Sequence, residues 1–287
     1  MGAEYIDRRA PGIWILRKVL TRRTECPGHR RADRKIRRFQ GLPGFVAGLL
    51  IALAGTSHAD TAMVAVAANF SDAAEALRRN FEQDRPHRLT LVSGATGKLY
   101  AQIVHGAPFD ILLAADDLHP GLLVQKGQAV AESLWIYARG RLCLWSPDPQ
   151  RIATDPVATL RTASGKLAIA NPELAPYGLA ALATLESLDL ADRYRGRLVM
   201  GENVAQAYAM VATGNAELGF VALSLIRAPG RTRQGSYWLV PADLHSPIQQ
   251  QGVLLLRAKH NDAAVEFIEY LKSPAARTLM DRFGYDT

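Results

Sequence analysis

The sequence predicts an α/β protein built from two successive blocks of strand and helix. From residue 62 onward, short apolar runs alternate with amphipathic segments, and polar or glycine-bearing loops join most runs to the helix that follows. The 287 residues are 48% hydrophobic, enough to fill one large or two medium cores. Alternation of this kind indicates parallel sheets flanked by helices.

Residues 63–67 read as an apolar strand and 71–81 (SDAAEALRRNF) as an amphipathic helix. Strand and helix follow again at 89–92 and 98–104, at 110–114 and 120–126, at 167–170 and 178–188, and at 197–200 and 204–213. Residues 140–145 form a strand without an immediate helix and lead into a looser, Pro-bearing stretch at 146–157. Strands at 218–222, 238–240 and 252–256 and a helix at 263–271 complete the pattern.

The formal charge of +7 does not belong to this folded part. Residues 1–59 hold 12 of the 34 Lys and Arg and 4 of the 27 Asp and Glu, which leaves 22 basic against 23 acidic residues in 60–287. A near-neutral domain argues against nucleic acid as a partner. Arg34-Lys35-Ile36-Arg37-Arg38, the short apolar run 45–54 and Ser57-His58-Ala59 follow the order of a secretory signal peptide cut after Ala59. The apolar run is short for a membrane span. Residues 1–33 are assigned no fold. Removal of this leader leaves Cys143 as the sole cysteine, so no internal disulfide forms, and Cys143 reads as a buried strand thiol.

Four junctions carry turn or capping chemistry: Ala67-Ala68-Asn69-Phe70-Ser71, Ser93-Gly94-Ala95-Thr96-Gly97, the stretch from Asn171 to Gly178, and Gly201-Glu202-Asn203-Val204. Ligands of parallel α/β sheets sit beyond the carboxyl ends of the strands, where these loops lie. Each helix start there presents unpaired N–H groups and the positive end of a helix dipole, a ready anion site. Asn69, Ser71 and Asn203 read either as helix caps or as groups around a shared ligand.

Other chemistries fail on spacing. A phosphate-binding loop of ATPases needs four residues between its glycines and a hydroxyl after its lysine; only two separate Gly94 from Gly97, and Leu99 follows Lys98. Lys98 reads as an anion contact or as a solvated helix-surface lysine. The histidines show no metal-ligand spacing and no nucleophile elbow occurs, so neither a hydrolase nor any other enzyme is indicated. Asp116-Asp117 reads as a metal pair or as acidic residues favoured at a helix start.

The motifs Ala67-Ala68-Asn69-Phe70, Gly94-Ala95-Thr96-Gly97-Lys98, Ala175-Pro176-Tyr177-Gly178, Gly201-Glu202-Asn203-Val204 and Phe283-Gly284-Tyr285, in this order, resemble the periplasmic molybdate-binding proteins of ABC importers over essentially all of 62–287. The resemblance implies a type II periplasmic-binding-protein fold, two α/β lobes joined by crossing strands around a ligand cleft. One lobe would comprise 60–140 and 256–287, the other 141–255, with 1–59 as leader and signal peptide. It further implies a monomeric, non-enzymatic periplasmic protein without a cofactor. Such a protein captures molybdate and tungstate for a membrane permease; another tetrahedral oxyanion, such as sulfate or phosphate, is the alternative cargo. Carried over by motif, Asn69 and Thr96 would bind through side chains, and Tyr177 and Val204 through backbone N–H. Two positions depart from the family pattern: Ala222 stands where one branch has a ligand tyrosine, and Ala68 where another has a hydroxyl.

Overall fold

The computed structural model describes residues 59–152, 154–230 and 235–287. The expected signal peptide lies outside the described residues apart from Ala59, and Cys26 lies outside them too. The chain begins with β1 (Thr61–Ala67), a 3-10 turn at Ala68–Phe70 and α1 (Ser71–Gln83). Next come β2 (Arg88–Gly94), α2 (Thr96–Val104), β3 (Ile111–Leu113), α3 (Leu118–Gln125) and β4 (Trp135–Gly140). The middle of the chain supplies β5 (Leu142–Ser146), α4 (Pro156–Thr162), β6 (Leu167–Ala170), α5 (Pro176–Ser187), α6 (Ala191–Tyr194) and β7 (Leu198–Gly201). It continues through α7 (Val204–Ala212), β8 (Leu218–Ala222), α8 (Leu223–Arg227) and β9 (Ser236–Leu239). Strand β10 (Ile248–Leu254) and helices α9 (Asp262–Leu271) and α10 (Pro274–Arg282) close it.

Among the described residues the strands form two five-stranded sheets, ordered β2-β1-β3-β10-β4 and β7-β6-β8-β5-β9. The first three strands of each are parallel, the fourth is antiparallel to them, and the fifth pairs antiparallel with the fourth. The chain passes between sheets twice, at 140–142 and between β9 and β10. Each sheet with its helices makes one half of the fold.

The two-residue period of a strand sorts β1 between two cores. Val64 and Val66 pack with Leu77 and Phe81 of α1 and Phe267 of α9, while Ala65 packs on the opposite face with Leu99 of α2 and Leu123. Helix α1 buries Ala73, Ala74, Leu77 and Phe81 on one stripe, and Arg78 on its outer side pairs with Glu75 and Glu82, each at 2.7 Å. In the second half β8 is buried along its whole length, as a central strand covered on both faces must be.

Three expectations change. The strand expected at 140–145 is β5, starting at Leu142, and it is preceded by an unexpected strand, β4, in the other sheet with only Arg141 between them. The strand expected at 252–256 begins at Ile248, and it pairs with β3 and β4. Assigning 141–255 to the second lobe therefore misplaces β10, because its hydrogen bonds belong to the first sheet. Helices α4 and α10 were not expected; both open at a proline, which is favoured at a first helical position because its missing N–H has no partner there anyway.

Candidate functional site

The four junctions meet. A cavity between the halves is lined from the first by Ala67, Ala68, Asn69, Gly94, Ala95, Thr96 and Ala115, and from the second by Ala175, Pro176, Tyr177, Asn203 and Val204. It lies at the carboxyl ends of β1, β2, β6 and β7, where the 3-10 turn before α1 and the starts of α2, α5 and α7 converge. The space the loops enclose is only about 10 Å³, where sites for organic ligands offer roughly 300–1,000 Å³. A small ion held by the loops themselves is the ligand class left. A larger groove adjoins it along Asp116, Asp117, Glu173 and Glu186, and that acidic rim is unsuited to an anion.

Each junction is built for the donors it leaves over. At α7 the Asn203 side chain accepts from Ala205 N at 3.0 Å and Gln206 N at 3.1 Å, so it caps the helix. Ala207 N turns back to Asn203 O, and the Val204 N–H is left without an acceptor among the described residues. At α5 Pro176 has no N–H, while Gly178 and Leu179 N–H return to Ala175 O; Tyr177 N–H is left in the same way. Gly178 permits this tight start, because a Cβ there would lie 2.3 Å from Ala170 O. At α2 the Thr96 hydroxyl accepts from Ala115 N at 3.1 Å, and its own proton stays available to donate. Among the described residues lining the cavity none carries a carboxylate. The surroundings therefore offer donors and dipoles and no counter-charge, which suits a fully deprotonated oxyanion.

Asn69 behaves differently from expectation. The residue preceding α1 is Phe70 and no side chain caps that helix, so Asn69 is not its cap. Both N–H bonds of its amide are taken, by Gln250 Oε1 at 2.9 Å and Tyr285 Oη at 3.1 Å. Its main-chain carbonyl accepts from Tyr285 Oη at 2.7 Å and from Ser224 Oγ at 2.8 Å. Asn69 lines the cavity, yet its side chain is held by a buried polar network in which Tyr137 and Tyr177 also take part. Burial drives the phenols of Tyr137, Tyr177 and Tyr285 well above their ordinary pKa, so the network keeps its protons.

The remaining expected residues are placed as follows. Ala68 lines the cavity with no side-chain donor. Lys98 is not among the lining residues; its ammonium meets Glu202 of the opposite half at 2.8 Å. Asp116 accepts from His119 N at 3.0 Å, as a residue at a helix start does, and no group of three metal-ligating side chains occurs among the described residues. Cys143 is buried and free, its thiol pushed up to about 12 by burial. Ala222 is fully buried at the end of β8. Further bonds close the halves on each other, including Gly97 N to Leu174 O at 2.9 Å.

Two such halves with a donor-lined cavity between them are the architecture of a binding protein of the periplasmic type. Residues 62–286 match the bacterial extracellular solute-binding protein family, and the chain belongs to that family. It is 44% identical to the molybdate-binding protein of Azotobacter vinelandii over 81% of this chain and 92% of that one. With the molybdate-binding protein of Rhodobacter capsulatus it shares 40% identity, over 83% of this chain and 93% of the other. The solved structure of the periplasmic molybdate-binding protein of Azotobacter vinelandii superposes with a TM-score of 0.75 at 35% identity, covering 79% of this chain and 99% of that one.

Proposed function

We propose that this protein captures molybdate, and tungstate with it, in the periplasm and delivers it to the membrane permease of an ABC importer. The observation that carries the reading is the cavity itself: four junctions converge on one small space with donors on both sides and no carboxylate in the lining. Molybdate near neutral pH is a dianion that only accepts hydrogen bonds, so a shell of N–H and O–H donors satisfies it. Phosphate retains a proton near neutral pH and would call for an acceptor. The relatives named for molybdate support this choice of ion. Thr96 Oγ1 and the N–H groups of Tyr177 and Val204 are the proposed contacts, with Asn69 and Ala68 contributing the backbone of the first loop. Export with cleavage after Ala59 and a monomeric mature chain belong to the same proposal.

Thermal unfolding of the mature protein with competing ions tests it. Molybdate and tungstate at 100 times the dissociation constant add about 2.7 kcal/mol, whereas sulfate and phosphate at that concentration leave the transition almost unmoved. An equal response to sulfate would remove the claim of selectivity, and a response to phosphate alone would reassign the cargo.

A further inference from the structure

We propose that Gln250, a residue of β10 remote in sequence from every cavity loop, is a positioning residue that ties the two walls of the oxyanion cavity together and sets how long the ion stays bound. This rests on the reading of the cavity as an oxyanion site.

Gln250 is 0% exposed, in the fourth strand of the first sheet. The register with β4 shifts between Gln250 and Gln251, and a bulge of this kind re-aims a side chain out of the regular alternation. A primary amide fully removed from water is costly unless both its ends are bonded. Here Oε1 accepts from Asn69 Nδ2 at 2.9 Å, with Tyr137 Oη at 3.0 Å, and Nε2 donates to Tyr177 Oη at 3.3 Å. Asn69 and Tyr177 line opposite walls of the cavity. One amide therefore holds the first-half loop and, through the phenol, the residue whose main chain supplies a second-half donor.

The place of this contact matters. Gly140 ends β4 at the first crossing between the sheets, and a Cβ there would lie 2.2 Å from Tyr177 Oη and 2.6 Å from Gln250 Nε2. The amide and the phenol meet against the bare backbone of the crossing, so their bond constrains the angle at which the halves close. Ligands that bind a closed state more tightly leave more slowly when that state is favoured.

The test uses the mature chain with Gln250→Met, which keeps length and loses both hydrogen-bonding ends, Tyr177→Phe, and the double variant. Wild-type binding of molybdate and of sulfate is measured first, and the variants are read on whichever ion binds tighter, so a wrong ion does not decide the inference. Stopped-flow fluorescence gives the association and dissociation rates. Each single variant is expected to raise the dissociation rate about tenfold with association changed by less than about twofold. The double variant should dissociate no faster than the faster single one, since the Gln250–Tyr177 bond is lost in both. Unchanged dissociation rates beside a lowered melting temperature, or fully additive effects, would overturn the proposal. If Gln250→Met does not fold, the dissociation rate of Tyr177→Phe alone decides.

Discussion

The two halves share a strand order and present the cavity with different chemistry. The second half offers bare main chain: Asn203 caps its own helix and Pro176 opens another, so Val204 N–H and Tyr177 N–H remain. The first half offers a hydroxyl already engaged by Ala115 N and a loop clamped by Asn69 to Gln250 and Tyr285. Main-chain donors at a helix start are fixed by the helix, whereas side-chain donors need neighbours to aim them. The first half accordingly carries a supporting network that the second does without, and substitutions in the two should fail in different ways.

The largest effect on stability is expected at Asn69. Asn69→Ala removes two buried hydrogen bonds, to Gln250 Oε1 and to Tyr285 Oη, while Gln250 Oε1 keeps Tyr137 Oη and Tyr285 Oη keeps the main-chain carbonyl of residue 69. A buried hydrogen bond contributes about 0.5–1.5 kcal/mol net, so with two lost the ligand-free protein should lose about 2 kcal/mol in denaturant titration. A helix cap alone would account for only about 1 kcal/mol. A loss near that smaller figure would show that the network adds little and that the halves are more alike than their bonding suggests.

Next come the proposed direct donors, one from each half. Removing a donor to a bound anion costs about 1.5–3 kcal/mol, or roughly ten- to a hundred-fold in affinity. Thr96→Val should show this together with a lower melting temperature, because Ala115 N loses its acceptor. Val204→Pro removes the second-half N–H at a first helical position, where proline is favoured, after Asn203 in extended backbone with ψ 174°. It should lose affinity by the same factor with the melting temperature almost unchanged, while Val204→Ala keeps the N–H and should bind like the wild type. Calorimetric titration beside melting curves separates the three. Normal affinity in Val204→Pro would exclude its N–H from the site.

The comparison also separates what the sequence reveals from what it hides. The second-half donors are legible because their cause is local: proline, asparagine and glycine at a strand-to-helix junction act on the N–H groups beside them. The place of Thr96 at the start of α2 is legible from the glycines around it, while its bond to Ala115 N is not. The role of Asn69 is not, since Gln250 and Tyr285 stand 181 and 216 residues further along and reach it only through the fold. The Gln249-Gln250-Gln251 run was the available signal, a polar triplet in an otherwise apolar strand, and it instead led to a strand start placed too late. Strand β4 escaped because a single residue, Arg141, separates it from β5 and no turn signal marks the change of sheet.

The buried phenols give a pH signature shared by the two halves, with Tyr137 and Tyr285 in the first and Tyr177 facing them from the second. Their ordinary value is 10.0, that of the Cys143 thiol is 9.0, and burial raises all four. Below those values folded and unfolded chains hold the same protons at these sites, and these groups leave stability level. Above them the unfolded chain releases protons that the folded one keeps, so stability falls as pH rises, beginning past about pH 9 and steepening past about pH 10. Melting temperatures from pH 7 to 11 check this, and Tyr177→Phe should shallow the alkaline slope. A slope unchanged in that variant would mean that its phenol ionises as readily in the folded chain as in the unfolded one.

The smallest effect is expected at Lys98, the one charged side chain that the resemblance and the spacing both brought near the anion. Its ammonium bridges the halves to Glu202 at 2.8 Å, with the two side chains 49% and 35% exposed. An ion pair so open to water contributes about 0–1 kcal/mol and weakens in salt. Lys98→Met should therefore lower affinity by less than about fivefold, and the difference from wild type should shrink at high ionic strength. A lysine that touched the anion would behave otherwise. Its loss would cost at least about tenfold, as for any donor to the bound charge. Titrations at low and high salt tell a rim contact that helps to hold the cleft shut from a ligand contact inside it. A tenfold loss that persisted in high salt would place Lys98 beside Thr96 as a first-half donor.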